Sequence, residues 1–328
     1  MSTTRHGVVE DLQEARPSAA IGLTRAGVTR SAKAIRIRHE GDERLFHAEI
    51  ACFSDLRPEQ KGVHMSRFEE TVNEAIDEVV LGEALRIEVL AEHIAQRVVE
   101  RQRARRSEIT IRASYPVEKR TPVTDIATQE MYGLIGVAAA GPSSSRRLVG
   151  VTAQGMNACP CAQGLLRAQA ADDLRKDGFS DEEIDRIVRL VPVATHNQRA
   201  RGTLYLGTPS GEGIDADALL EIVLDGMSSE IYELMKRPDE QYVVDRAHRR
   251  PRFVEDSVRE MIAGTLERMP GLPDDAFVLA HQANFETIHT HDVEAERHGL
   301  IGEIRAELAG TAGRARNPSM AEWLDAAI

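Results

Sequence analysis

Two hydrophobic periodicities alternate along this chain, and their order limits the fold more than any other feature. Ile35 and Ile37 lie between Lys33, Arg36 and Arg38, and Leu45 to Cys52 follows a Gly41-Asp42 turn, which predicts a β-hairpin. Helical spacing comes next. Phe68, Val72, Ile76 and Val79 share one stripe, with Ser66 as N-cap and Glu69 completing a capping box. Beyond Gly82 a second stripe runs through Leu85, Val89, Ile94, Val98 and Val99 to a basic end at Arg101 to Arg106, as a helix C-terminus favours. Alternation returns from Ser107 to Tyr115, and Met131 to Ala140 reads as an apolar strand. The first half thus reads strand, strand, helix, helix, strand, strand.

A similar order recurs without any residue-level repeat. Strands are expected at 148–154 and 202–206, a long helix at 216–235 on Leu219, Val223, Met227 and Ile231, a further helix at 253–268 and a strand at 276–283. This predicts an α+β fold of two modules, each an antiparallel sheet with a helix pair on one face; a single larger α+β domain is the simpler alternative. The boundaries fall at an N-terminal arm, 1–26, a first module, 27–142, and a second, 143–328. Within the second module, 162–195 interrupts the strand pattern. Ser180 and Glu183 form a capping box ahead of Ile184, Ile187, Val188 and Leu190, so this insertion is expected to be an ordered helical segment.

Composition narrows the function. With 53 acidic against 41 basic side chains and a net charge of -12, the chain lacks the general cationic surface that nucleic-acid polymers and anionic membranes require, although a local basic pocket is compatible. Arg5, Glu10, Asp11, Glu14 and Arg16 break up the N-terminus, and no stretch reaches the ~18 apolar residues of a membrane span. A cytoplasmic protein with no membrane partner is expected. Its three cysteines are Cys52, Cys159 and Cys161, and the last two, separated only by Pro160, are too close for an ordinary structural disulfide.

The densest chemistry is at Asn157-Ala-Cys-Pro-Cys161, just after an expected strand. Thiolates there are soft ligands for zinc or iron or nucleophiles, and two small buried cysteines are the bland alternative. Thr195-His196-Asn197-Gln198-Arg199, polar and placed before the 202–206 strand, suits a metal or phosphate site. Lys236-Arg-Pro-Asp-Glu240 follows the long helix, which Pro238 should end, leaving Asp239 and Glu240 on a constrained loop. Phe253-Val-Glu-Asp256 opens the next helix, and the acids of both runs also read as capping residues. Asn284-Phe-Glu286-Thr-Ile-His289-Thr-His291 puts a carboxylate and two imidazoles at a strand end, where alternation would set His289 and His291 on one face. Lys61-Gly-Val-His64-Met-Ser66-Arg67 precedes a helix N-terminus and reads either as an anion cradle or as an ordinary cap with solvated charges.

Taken in order, these six motifs closely resemble the prokaryotic type IB GTP cyclohydrolases, from about Gly27 to Gly302. The resemblance implies two tandem tunnelling-fold modules, a homotetramer with active sites at subunit interfaces, and metal-dependent conversion of GTP and water to 7,8-dihydroneopterin triphosphate and formate, the entry to pterin and folate synthesis. It makes Cys159, His196 and Glu240 ligands of a divalent ion, compatible with zinc, manganese or iron(II). Glu255 becomes the guanine anchor and Cys161 a second essential cysteine, for proton transfer or substrate contact. Glu286, His289 and His291 become candidates for later proton transfers, and Lys61, His64, Arg67 and Arg199 for the triphosphate. The insertion at 162–195 departs from the shortest family members and resembles the archaeal branch, which uses iron(II) and makes a 7,8-dihydroneopterin 2',3'-cyclic phosphate. In a different class, the alternative is a non-catalytic, metal-stabilised purine-binding protein of the same fold. A nitrile-forming or reducing relative would need Cys159 or Cys161 free of metal.

Overall fold

A computed structural model of the chain describes residue 13, residues 15–39, 42–80 and 86–311, residue 313 and residues 316–328. Half of the expected arm, the Gly41 of the hairpin turn, and Gly82 and Leu85 lie outside the described residues.

The elements run β1 (Leu23–His39), β2 (Asp42–Leu56), α1 (Met65–Val80), α2 (Ile87–Gln102), β3 (Ser107–Arg120), β4 (Ala127–Ala140), β5 (Ser145–Ala158), α3 (Pro160–Lys176), α4 (Asp181–Leu190), β6 (Asn197–Gly207), α5 (Ala216–Gly226), β7 (Ser229–Glu230), α6 (Arg237–Arg249), α7 (Val254–Arg268), β8 (Phe277–Phe285), β9 (Val293–Leu300), α8 (Ile301–Leu308) and α9 (Met320–Asp325). Among the described residues the strands hydrogen-bond in the order β1-β2-β3-β4-β5-β6-β8-β9, with β7 on β5. The α+β expectation holds. Two compact units divide the chain: Met1–Ala113 with Gly136–Arg147 and Leu324–Ile328, and Ser114–Ile135 with Leu148–Trp323.

In the first unit β1 and β2 form the long hairpin, with Ile35 opposite Phe46 and both side chains buried. Gly27 lies so close to β2 that a Cβ there would stand 1.9 Å from the Cys52 carbonyl oxygen. Phe68, Val72 and Ala75 of α1 and Leu90, Ile94 and Val98 of α2 are buried, as the helical spacing requires. The expected cap is not formed. Helix α1 already begins at Met65, so Ser66 lies inside it, and Glu69 is drawn instead to Lys33 Nζ of β1 at 2.7 Å. Cys52 is a strand residue; burial, with the nearby Glu69 carboxylate adding, pushes its thiol up to about 12 and keeps it inert.

In the second unit β5 pairs β6 with Asn157 opposite Gln198, and β6 pairs β8 with Arg199 opposite Phe285. Helices α5 and α7 cover this part of the sheet through Leu219, Val223, Val258 and Met261, all buried. The insertion is helical, and the capping box at Ser180 and Glu183 is present in full. Three expectations fail here. The helix expected over 216–235 stops at Gly226, because the following residues turn back to the sheet as β7, with Glu230 opposite Gly155. Pro238 therefore starts α6, where a missing N–H costs nothing, rather than ending a helix. His196-Asn-Gln-Arg199 does not merely precede a strand, since Asn197 to Arg199 are its first residues.

Gly202 is where β6 meets its helices: a Cβ there would stand 2.7 Å from Val223 Cγ1 and 3.0 Å from Gln282 Oε1. Gly202→Ala should therefore lower stability by about 1–3 kcal/mol through overpacking, measured as a lower urea midpoint. An unchanged midpoint would contradict this packing.

Candidate active site

The site is built on a junction of three backbones. β5 ends at Ala158, and Cys159, in extended conformation, is the N-cap residue of α3, with Pro160 supplying the pre-set first helical turn. Cys159 N–H donates to the His196 carbonyl at 3.1 Å, and Arg252 N–H donates to the Ala158 carbonyl at 3.0 Å. Thr195 Oγ1 donates to the Cys159 carbonyl at 3.1 Å. Cys159, His196 and the start of α7 are thus fixed side by side.

Above this junction is a cavity of about 490 Å³, lined by Cys159, His196, Gln198, Arg252, Phe253, Glu255, Asn284, Glu286, His289 and His291 among others. Glu255 stands in the first turn of α7, where the free amides favour a carboxylate. Glu286 is almost fully buried, and its Oε1 accepts from Gln198 Nε2 at 3.0 Å. Its Oε2 lies 3.8 Å from His196 Nδ1, and both atoms are buried without a hydrogen-bond partner. His289 and His291 do not alternate on a strand. β8 ends at Phe285 and both lie in the loop before β9, where their rings stack at 5.1 Å between centroids and 17° between planes.

The other expected residues lie apart from this cavity. Cys161 is exposed on the first turn of α3 and is not in the cavity wall. Arg199 faces a neighbouring cavity of about 610 Å³ with Glu130, Tyr132 and Tyr232, and Gln198 lines both. Burial, reinforced by Glu130 and Glu230 at Tyr132 and by Glu230 at Tyr232, pushes both phenols up and keeps them neutral. Lys61, His64 and Arg67 belong to the first unit, around the start of α1, and Gln102 Nε2 donates to the His64 carbonyl at 3.0 Å.

Glu240 is exposed in the first turn of α6, outside the cavity wall, while its neighbour Asp239 is fully buried. Asp239 accepts from Val123 N at 2.9 Å, Thr124 N at 3.0 Å, Thr124 Oγ1 at 2.6 Å and Lys236 N at 3.0 Å. Burial alone would raise its carboxyl, but these donors outweigh it and hold the group well below the usual carboxylate range. A group with a depressed folded pKa adds stability above its ordinary value, and loses that contribution as pH falls through the folded value. Asp239→Asn should therefore lower Tm by a constant amount at neutral and mildly acidic pH, with the gap to the parent closing below about pH 4. A gap that widens as pH falls would contradict this.

A thiol, an imidazole and a carboxylate with two orphaned buried atoms form a donor set suited to a borderline divalent ion. Of the three expected ligands, Cys159 and His196 line this cavity and Glu240 does not. Among the described residues no three His, Cys, Asp or Glu side chains come together as a complete cage. Sequence reasoning included Gln198 and Asn284 in its motifs but gave neither a role, although both line the cavity. Their signal was polar residues at inward positions of a strand.

The family described as type I GTP cyclohydrolase folE2 matches residues 9–295. A Methanococcus aeolicus protein named GTP cyclohydrolase MptA is 39% identical over 305 residues, covering 91% of this chain and 99% of its own. A Methanocaldococcus jannaschii protein of the same name is 37% identical over 304 residues, covering 91% and 97%. Among solved structures, a hyper-thermostable uricase mutant superposes with a TM-score of 0.52 at 10% identity, covering 85% of this chain and 92% of its own, a likeness of fold alone.

Proposed function

Because the chain belongs to the type I GTP cyclohydrolase folE2 family, we propose that it is an archaeal-type GTP cyclohydrolase, converting GTP to formate and 7,8-dihydroneopterin 2',3'-cyclic phosphate. This corrects the expectation of a type IB enzyme making the linear triphosphate. The relatives at 37–39% identity are named GTP cyclohydrolase MptA, and they align over nearly their whole length. The observation that carries the reading is one cavity holding Cys159, His196 and Glu255 together.

In this reading Glu255 accepts from the ring N–H and exocyclic amine of guanine, two parallel donors to one carboxylate. Cys159 and His196 hold the divalent ion, iron(II) by resemblance to the archaeal branch. Glu240 is the third ligand that the resemblance implies. When bound, such an ion supplies Lewis acidity that makes water nucleophilic near neutral pH. Carbon 8 of guanine is hydrated twice and leaves as formate. His289 and His291, stacked on one another and both lining the cavity, give and take the protons of ring opening and closure. Glu286, His196 and Cys159 line the same cavity, and Cys161 contacts substrate or relays a proton. Lys61, His64, Arg67 and Arg199 are assigned to the phosphates. A cyclic monophosphate keeps one of three phosphorus atoms, so diphosphate must leave.

Anaerobic protein with iron(II) and GTP should release formate and give the cyclic phosphate by mass spectrometry. The linear triphosphate as sole product would contradict the branch, and no formate with iron(II), manganese or zinc would contradict the activity. Glu255→Gln should reduce kcat/KM roughly 10- to 100-fold, the effect of losing charge-assisted hydrogen bonds to guanine.

A further inference from the structure

Gln198 has no part in the reading above, yet the residue is only 4% exposed and sits at an inward position of β6, opposite Asn157. Its Nε2 donates to Glu286 Oε1 at 3.0 Å. Among the described residues this is the only hydrogen bond that the Glu286 carboxylate receives, and the other oxygen is buried and unpartnered. A carboxylate pinned at one oxygen has a defined direction for the other. Here the free oxygen faces His196 Nδ1, itself buried and unpartnered, at 3.8 Å.

A neutral imidazole carries one proton and one lone pair, so whatever accepts at one ring nitrogen decides which nitrogen can bind a metal. Ligating histidines commonly give their second N–H to a carboxylate for this reason. We propose that Gln198 is a positioning residue: its amide aims Glu286 at Nδ1 of His196, holding the proton there and leaving the Nε2 lone pair for the divalent ion. This rests on the metal-dependent reading above. It gives Glu286 a task distinct from proton transfer to substrate, and it explains why a glutamine stands at an inward strand position where an aliphatic residue would pack better.

Cobalt(II) binding by the full-length protein, measured by competition with a chelator and by the visible cobalt spectrum, tests this. Gln198→Met keeps the volume and removes the donor. It should weaken cobalt affinity about 10- to 100-fold and lower kcat, with KM for GTP within about twofold of the parent. Glu286→Gln serves as a second variant if Gln198→Met does not fold. With its amide carbonyl bonded to Gln198, its NH2 would face Nδ1 and force the opposite tautomer, so cobalt affinity should fall likewise. Folded variants with parental cobalt affinity and spectrum would overturn the positioning role while leaving the metal reading intact. A parent protein that binds no cobalt would overturn the metal reading itself.

Discussion

The side-chain amide of Asn157, fully buried, donates to Ser257 Oγ of α7 at 3.0 Å and to Asn284 Oδ1 of β8 at 3.1 Å, and accepts from the Ser228 N–H at 2.9 Å. Helix α7 and strand β8, which both carry cavity residues, meet at this group, and β6 pairs beside it with Gln198 opposite. β5 continues from it into Cys159, α7 carries Glu255 in its first turn beside the Asp256 carboxylate that accepts from the Phe253 N–H, and β8 leads through Phe285 to Glu286. An aliphatic residue at 157 would strand two side chains and a backbone amide, each at a cost of about 1–3 kcal/mol. The node is therefore both a stabilising contact and the reference point for the site's geometry.

Three of the seven buried side-chain atoms without a partner among the described residues lie in the cavity wall. Beneath the cavity Asn157, Ser257 and Asn284 bond one another, whereas His196 Nδ1, Gln198 Oε1 and Glu286 Oε2 in its wall are buried without partners. Native interiors rarely tolerate such orphans, and they concentrate where a ligand or ion completes them. The insertion fits the same logic. Its two ends are joined by the bond from Cys159 to His196, and Gln163 Nε2 ties α3 to the carbonyls of Val193 and His248 at 2.8 and 2.7 Å. Chain inserted between two anchored ends can grow without moving either, so 162–195 is accommodated without disturbing the thiol and imidazole.

Much of this was legible in the sequence, and the rest was hidden for identifiable reasons. The β1-β2 hairpin, α1, α2 and α7 follow apolar periodicity, and the capping box of α4 follows from Ser180 and Glu183. The start of β6 was hidden because its inward residues are Gln198, Ala200 and Gly202, so alternation is present in burial but absent in hydropathy. The helix over 216–235 was overextended because Met227 and Ile231 continue the helical stripe, although the chain there turns to pair with β5. At the site, the motifs identified Cys159, His196, Glu255, Glu286, His289 and His291, which share the cavity. They did not separate Asp239, consumed by its cap, from the exposed Glu240 beside it, because both lie in one acidic turn.

The proposed activity requires a divalent ion at the junction of Cys159 with His196. X-ray absorption on the zinc-loaded protein tests this most directly. One sulfur scatterer at about 2.3 Å together with nitrogen and oxygen neighbours, lost in Cys159→Ala, is the predicted result. A first shell of nitrogen and oxygen alone, or a sulfur shell unchanged in Cys159→Ala, would contradict it.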